Sequence, residues 1–283
     1  MQVIQSNLEK FAEAYSVFMQ NTTDKIESER WLQKNIVPIA KKCYNAAEGE
    51  PLRILSVGCG YGEPDMVILD TLQLEFTNIH YSACEPGEDH FAQFSENVAK
   101  NPKYSNIIFN TKRLSAEDYI KHSKEEKYHL TIFWHVLGWV TNVKETLINF
   151  AKLLVQGGVQ LIANSEDKGV WGVQTELYDQ IFKQTGKHVK FFRSKTIQLA
   201  LDELGFRYTK ENIQTRTYIN SIINKDDQAN LLIDYSSQII NFQDTAPPDL
   251  VRNFLKQMKE IAVTEGDDYF IIDSFDIFII IKD

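Results

Sequence analysis

Apolar side chains along the first forty residues recur with helical spacing. Phe11 and Tyr15 lie four residues apart in a first series, and a second apolar series runs over residues 31–40. Residues 21–24, Asn-Thr-Thr-Asp, interrupt the pattern with side chains that can cap a helix. The pattern therefore predicts two helices, which we interpret as a helical lid formed by residues 1–48.

From residue 52 onward, short β-rich runs alternate with helical runs. The pattern predicts strands at residues 52–57, 79–84, 107–109, 130–134 and 158–163, and helices at residues 66–74, 91–99 and 143–154. Regular alternation of this kind is typical of an α/β fold, in which helices cover both faces of a mostly parallel sheet.

The alternation changes after Asn164. Residues 165–192 carry aromatic and charged side chains without a clear period, so no element is predicted there. The remaining pattern predicts a helix at 196–204, a strand that begins at 206–208, helical structure over 220–262 and a closing strand at 274–282. We therefore predict a single domain over residues 1–283, with a substrate-binding insert at residues 209–265 before the last strand.

Composition and charge narrow the class of protein. With 43% hydrophobic and 24% charged residues, the 283-residue chain has the balance of a folded globule rather than a disordered one. Its formal net charge of -9 disfavours nucleic acid as a partner and is compatible with a small cationic ligand. Three cysteines without paired spacing favour reduced thiols and a cytoplasmic location, and no apolar run is long enough to predict a membrane span.

A glycine turn follows the first predicted strand, with Gly58, Gly60 and Gly62 in a GxGxG pattern. Glycine at such a turn allows both a sharp change of direction and a close ligand. Glu63 at the start of the next helix would oppose a pyrophosphate, whereas Glu85 after the second strand suits a ribose diol. The turn alone is also a common scaffold, but with Glu85 it predicts a site for S-adenosylmethionine.

Two segments are similar to the histamine N-methyltransferase family. One comprises residues 54–65 together with Glu85 and Pro86, a pattern shared by many class I methyltransferases. The other, NFQDTAPPDL at residues 241–250, is much narrower. The resemblance covers nearly the whole chain and implies a class I, Rossmann-like methyltransferase with a seven-stranded, mostly parallel sheet and helical substrate-binding additions. It also implies a cytoplasmic monomer that acts on a small amine.

The resemblance also implies which residues bind the cofactor. Gly58 and Glu85 match the family unchanged, whereas His90 replaces a polar amide, Ala116 replaces an adenine-side serine and Trp134 replaces an aliphatic residue. Ser115, which precedes Ala116, is also a natural helix cap. Trp134 can stack on the adenine or the sulfonium, or it can fill the core.

On the substrate side, the resemblance implies three polar residues as catalytic and binding groups: Asp24, His135 and Asp273, or Ser274 one position later. The aromatic walls fall on Phe11, Tyr15, Trp139, Phe182 and Phe242, while Thr175 replaces a family tryptophan. Structural roles stand beside these: Asp24 as a helix cap, His135 as a core histidine and Asp273 with Asp276 as solvent-facing strand residues.

The hypothesis from sequence is an S-adenosylmethionine-dependent N-methyltransferase for a histamine-like or other imidazole-containing amine. The alternatives are a methyltransferase for another small amine, an amino acid or a dipeptide, and a catalytically silent S-adenosylmethionine-binding sensor. No metal is expected, because the six histidines show no ligand spacing, and neither nucleic acid nor a membrane is expected as a partner.

Overall fold

A computed structural model describes residues 2–4, 7–44, 49–122, 126–186 and 191–282. Contacts divide the chain into two compact units. Unit 1 comprises Met1–Glu27, Ser165–Phe191 and Asn212–Phe275, and unit 2 comprises Ser28–Asn164, Phe192–Glu211 and Asp276–Asp283. The prediction of one domain, with a lid at 1–48 and an insert at 209–265, stays a prediction, and residues 45–48 of that lid lie outside the described residues.

From residue 52 to residue 165, strands and helices alternate as the pattern predicts, with an additional helix at Ala116–His122 that was not predicted. The strands are β1 Leu52–Val57, β2 Ile79–Cys84, β3 Ile108–Lys112, β4 Tyr128–Trp134, β5 Leu154–Ser165, β6 Tyr208–Tyr218, β7 Val263–Glu265 and β8 Asp268–Ile281. The helices are α1 Leu8–Gln20, α2 Asp24–Cys43, α3 Glu63–Leu72, α4 Glu88–Phe94, α5 Ala116–His122, α6 Val143–Lys152, α7 Gly169–Thr185, α8 Ser194–Glu203, α9 Asn220–Asn224, α10 Ala229–Ser237, α11 Phe242–Thr245 and α12 Pro248–Glu260. A π-helical turn, Ser95–Ala99, continues α4.

The strands form one sheet in the order β3-β2-β1-β4-β5-β8-β6, and β7 pairs antiparallel with β8 beside this path. β1 pairs in parallel with both β2 and β4, β2 with β3, and β4 with β5. From β1, the strands β2 and β3 are added on one side and β4 and β5 on the other, so the strand order changes direction between β1 and β4. In such sheets, ligands bind at the carboxyl ends of the strands beside that point. The predicted fold class, α/β with a mostly parallel sheet, is confirmed.

Unit 2 packs its helices on the sheet through a core that is apolar and aromatic. Phe133 of β4 meets Phe150 of α6 edge-on, with ring centroids 5.0 Å apart, and both rings are fully buried. Ile197 of α8 and Phe278 of β8 belong to the same cluster. Truncating a buried ring of this kind to alanine typically lowers the free energy of unfolding by about 3–5 kcal/mol. The core therefore stabilises the packing of these helices on the sheet.

The absence of a predicted element in residues 165–192 is wrong for most of that segment, because α7 occupies Gly169–Thr185. Val170, Val173, Leu177 and Ile181 are buried along one face of α7 in the core of unit 1. Their helical spacing is masked in the sequence by aromatic and polar neighbours that are also partly buried. Residues 187–190 of the segment lie outside the described residues.

Asp65, in the first turn of α3, is a buried carboxyl group. It is 2% exposed, and the Tyr81 hydroxyl donates a hydrogen bond of 2.7 Å to its Oδ1. Burial raises the pKa of Asp65 from 3.8 to about 6, against hydrogen bonds from Ser56 and Tyr81 that lower it. Because this folded-state pKa exceeds the unfolded value, the contribution to stability is complete below about pH 4 and is lost as the pH rises through about 6.

We therefore expect Asp65→Asn to flatten the pH dependence of stability. Between pH 4 and 7 the unfolding free energy of the wild type should fall by about 2 kcal/mol more than that of the variant, since each pKa unit corresponds to about 1.4 kcal/mol and the unfolded chain is already partly ionised at pH 4. Urea unfolding at a series of pH values measures this difference. Asp70→Asn, on the same helix, is the control, and parallel profiles for wild type and Asp65→Asn would contradict the assignment.

Candidate active site

The glycine turn after β1 has a left-handed backbone at all three glycines, with φ of +65° at Gly58, +54° at Gly60 and +84° at Gly62. A Cβ at Gly58 would lie 2.2 Å from a methyl group of Val136, and one at Gly62 would lie 2.6 Å from a methyl group of Val98. A Cβ at Gly60 would meet nothing within 4 Å. Packing therefore requires glycine at two positions, whereas Gly60 presents open backbone that a ligand can approach.

Glu85, directly after β2, braces this turn. Its Oε2 accepts a hydrogen bond from the Gly60 amide (3.1 Å), and its Oε1 accepts one from the Gly87 amide (2.9 Å). Burial raises the pKa of Glu85, but hydrogen bonds from His90, Gly87 and Gly60 outweigh it, and the net pKa lies below the ordinary value. The group is therefore an ionised acceptor at neutral pH, with lone pairs left for the two hydroxyls of a ribose.

His90 lies beside the same carboxylate. Its Nδ1 is 3.6 Å from Glu85 Oε1, and its ring meets Tyr61 edge-on with centroids 4.5 Å apart. The structure thus brings together three of the cofactor residues implied by the sequence: Gly60, Glu85 and His90.

Ala116 begins α5, and Ser115 caps this helix by accepting a hydrogen bond of 3.1 Å from the Asp118 amide. The capping role of Ser115 is therefore confirmed. Ala116 packs on the core of unit 2, and its predicted contact with adenine stays a prediction.

At the carboxyl end of β4, Trp134 is half-buried and oriented by side chains of α2. Its indole N–H donates to Ser28 Oγ (3.3 Å), and its ring lies 6.1 Å from that of Trp31. Trp31 is held in turn by a hydrogen bond of 2.8 Å to Glu211. Because Trp134 is only half-buried, filling the core does not account for the whole ring.

His135 follows with a left-handed backbone, φ +57°, and its amide donates to the Ala163 carbonyl (2.9 Å). A conformation of this kind costs a non-glycine residue about 1–3 kcal/mol and is concentrated at functional sites. The residue is half-buried and its Nε2 is itself buried, so its roles as a catalytic group and as a core histidine both stay predictions. Trp139, in the loop after it, is 55% exposed.

Unit 1 contains an aromatic cluster built around Tyr235 of α10. The Tyr235 ring lies 5.9 Å from Phe11, 5.7 Å from Tyr15, 4.5 Å from Phe18 and 6.2 Å from Trp171. Four of the five rings are half-buried, and Phe18 is buried. The sequence implied Phe11 and Tyr15 but missed Trp171, because α7 was not predicted, and Tyr235, which has the pattern of an ordinary helical core position.

Asp24 is the first residue of α2 rather than its cap. Its amide donates to Thr22 Oγ1 (3.2 Å), and the Thr23 carbonyl accepts from the Glu27 amide (3.0 Å). The side chain is half-buried. A carboxylate in the first turn is favourable to the helix dipole and still accessible to a ligand.

Asp273 is buried, so the alternative of a solvent-facing position is wrong for it and for Asp276, which are 2% and 1% exposed. Its Oδ1 accepts from the Val170 amide (2.8 Å), and its Oδ2 accepts from the Thr217 hydroxyl (2.5 Å). Gly169 is required beside it, since a Cβ there would lie 2.2 Å from Oδ1. Asp273 therefore anchors the first turn of α7 from β8.

The narrow motif at residues 241–250 forms structure around a second buried carboxylate. Asp234 accepts from the amides of Asn241 (2.7 Å) and Phe242 (2.9 Å) and so supports the left-handed backbone of Asn241, φ +46°. Phe242 is fully buried and packs edge-on against Phe254. Its role as a substrate wall stays a prediction, as does that of Phe182, which is 36% exposed.

The sheet order, the glycine turn and the acidic residue after β2 define a class I methyltransferase fold. The sequence profile of a family described as a methyltransferase domain matches residues 28–211, and the chain belongs to this family. The cofactor is S-adenosylmethionine, and the open backbone at Gly60 beside the ionised Glu85 fits it.

Individual proteins extend the similarity to nearly the whole chain. Histamine N-methyltransferase of Mus musculus is 25% identical over 274 residues, covering 92% of this chain and 90% of its own. Carnosine N-methyltransferase 2 of Gallus gallus is 24% identical over 249 residues, covering 86% and 76%. The YcgJ protein of Bacillus subtilis shares the fold, with a TM-score of 0.54 at 13% identity over 87% of this chain and 97% of its own. The resemblance to histamine N-methyltransferases is confirmed.

Among the helices of the described residues, none is long and apolar enough to cross a membrane. The predicted cytoplasmic location and monomeric state stay predictions.

We expect Glu85→Gln to weaken S-adenosylmethionine binding at least about tenfold, because hydrogen bonds to a charged acceptor contribute about 1.5–3 kcal/mol. Glutamine keeps the size of the side chain but offers one acceptor oxygen instead of two, so either the Gly60 or the Gly87 amide also loses its acceptor. Calorimetric titration measures the affinity. Glu88→Gln is the matched control, since Glu88 is exposed and pairs with Arg113, and unchanged affinity in Glu85→Gln would show that the ribose lies elsewhere.

Proposed function

We propose that the chain transfers a methyl group from S-adenosylmethionine to a nitrogen of a small amine, histamine-like or otherwise imidazole-containing. The amine assignment depends on the cluster of five aromatic side chains around Tyr235, because aromatic faces attract ammonium groups by about 0.5–2 kcal/mol each. The names of the similar proteins from Mus musculus and Gallus gallus support the same class of substrate.

In this proposal the residues of unit 2 bind the cofactor, which when bound supplies an electrophilic methyl group on a sulfonium. Glu85 accepts the ribose hydroxyls, and the turn at Gly58, Gly60 and Gly62 lets the ligand lie against the backbone. His90 keeps Glu85 in place, and Ala116 borders the adenine. Trp134, oriented by Ser28, offers its ring to the adenine or the sulfonium.

Methyl transfer from a sulfonium is an in-line displacement, in which alignment of the reacting atoms at about 3–3.5 Å supplies much of the acceleration. The attacking nitrogen of the amine needs a free lone pair, so it must be unprotonated. An imidazole nitrogen meets this condition near pH 7, whereas an ammonium must first lose a proton. Asp24 holds the cationic group away from the reacting atom, and His135 accepts a proton or orients the nucleophile. Phe11 and Tyr15 contribute to the aromatic cluster. The further aromatic walls of the substrate site are Trp139, Phe182 and Phe242. Asp273 supports the site by anchoring α7.

A dipeptide is the second candidate substrate, favoured by the similarity to the carnosine N-methyltransferase 2 of Gallus gallus. Incubation with isotopically labelled S-adenosylmethionine and a panel of histamine, carnosine, diamines and monoamines distinguishes the candidates. Label in histamine or another imidazole amine is expected, and preferential label in carnosine would favour the dipeptide. Cofactor binding without transfer to any of them would contradict the proposed function and favour a sensor.

We expect Asp24→Asn to raise the KM for the best amine about tenfold with little change in kcat, because a lost charge-assisted hydrogen bond affects ground state and transition state alike. Steady-state kinetics measure both constants. Glu27→Gln, in the same first turn of α2, is the matched control for the helix dipole. If neither constant changes in Asp24→Asn, the ammonium is bound by another residue.

A further inference from the structure

Glu166 directly follows Ser165, the last residue of β5, in the segment for which the sequence pattern predicted no element. β5 runs parallel to β4, so this position continues the carboxyl end of a parallel strand. Ligands of open α/β sheets bind at such ends, and a carboxylate there is a candidate to contact substrate.

The side chain of Glu166 is held through one oxygen. Oε2 accepts from Ser274 Oγ (2.5 Å), Asn212 Nδ2 (2.8 Å) and Lys168 Nζ (2.8 Å), while the Glu166 amide donates to the Ser274 carbonyl (3.0 Å). Within the described part of the chain, no hydrogen bond or ion pair uses Oε1. The side chain is 17% exposed. It is therefore oriented by three donors, with one oxygen available to a ligand.

The carboxyl group of Glu166 is ionised at neutral pH. Burial raises the pKa of Glu166, but hydrogen bonds from Lys168, Ser274 and Asn212 outweigh it, and the net pKa lies below the ordinary value. Asp273, the neighbouring carboxylate implied by the sequence, has both oxygens engaged by Val170 and Thr217. Of these two carboxylates, Glu166 is the one that combines a fixed orientation with an accessible oxygen.

The same segment carries a member of the aromatic cluster. Ser274 anchors Glu166, and Asp273 anchors the amide of Val170, which is followed directly by Trp171. Two consecutive residues of β8 thus fix both ends of residues 166–171. Glu166 and Val170, the residue before Trp171, are therefore both held by hydrogen bonds to neighbouring residues of β8.

We propose that Glu166, rather than Asp273, is the second substrate-binding carboxylate and binds a second N–H-bearing group of the amine. This inference rests on the proposed function and deepens it: the substrate class becomes small amines with two such groups, as in an imidazole and an ammonium. Ser274 and Asn212 are positioning residues that act through Glu166.

The test compares wild type, Glu166→Gln and the matched control Asp167→Asn, which removes the same charge one residue later. Each is titrated calorimetrically, with S-adenosylhomocysteine present, against histamine and against its two halves, 4-methylimidazole and propylamine, and KM and kcat are measured for histamine. If another two-nitrogen amine reacts faster, it and its halves replace these probes.

We expect Glu166→Gln to weaken histamine binding and raise its KM about tenfold, with kcat little changed and binding of one of the two halves unaffected. Asp167→Asn should match wild type, and Glu166→Asp, which keeps the charge, should fall between. Unchanged histamine binding in Glu166→Gln, or an equal loss for histamine and both halves, would overturn the inference while leaving the proposed function intact. If wild type methylates no amine, the proposed function fails and the inference fails with it.

Discussion

The hydrogen bond from the Gly60 amide to Glu85 is the interaction on which the cofactor half of the protein depends. It joins the turn after β1 to the end of β2, at a point where the backbone adopts a left-handed conformation that only glycine tolerates well. Because Gly87 donates to the other oxygen, the carboxylate is oriented before any ligand arrives. Preorganisation of this kind lowers the entropic cost of binding.

Buried carboxylates perform a comparable task in unit 1. Asp273 accepts from one backbone amide in the first turn of α7, and Asp234 accepts from two in the turn at Asn241. These amides would otherwise be costly to bury. Part of the acidic surplus is therefore structural, inside the protein. The net charge of -9 is compatible with a cationic substrate, but binding of such a substrate depends on the positions of individual carboxylates.

Sequence reasoning succeeded where local chemistry decides the outcome. A β-rich run predicts the strand β1, and glycines, which accept positive φ, predict the turn after it. A carboxylate at the end of the next strand predicts the role of Glu85. Sequence reasoning failed for α7, because Trp171 and Gln174 interrupt the apolar spacing, and packing with distant elements makes Trp171 half-buried and Gln174 buried. The substrate role of Asp273 stays a prediction, but its contact with Val170 could not be foreseen, since a carboxylate that engages a helix 103 residues away in the chain leaves no local signal.

The sequence by itself determined the class of fold, the cofactor and the approximate order of elements, because alternating periods and glycine turns act over a few residues. Only the tertiary structure decided which aromatic rings cluster around Tyr235 and which carboxylates remain accessible. Those properties depend on long-range pairing: consecutive residues of β8 engage the start of α7 and Glu166, so adjacent side chains on one strand have different surroundings.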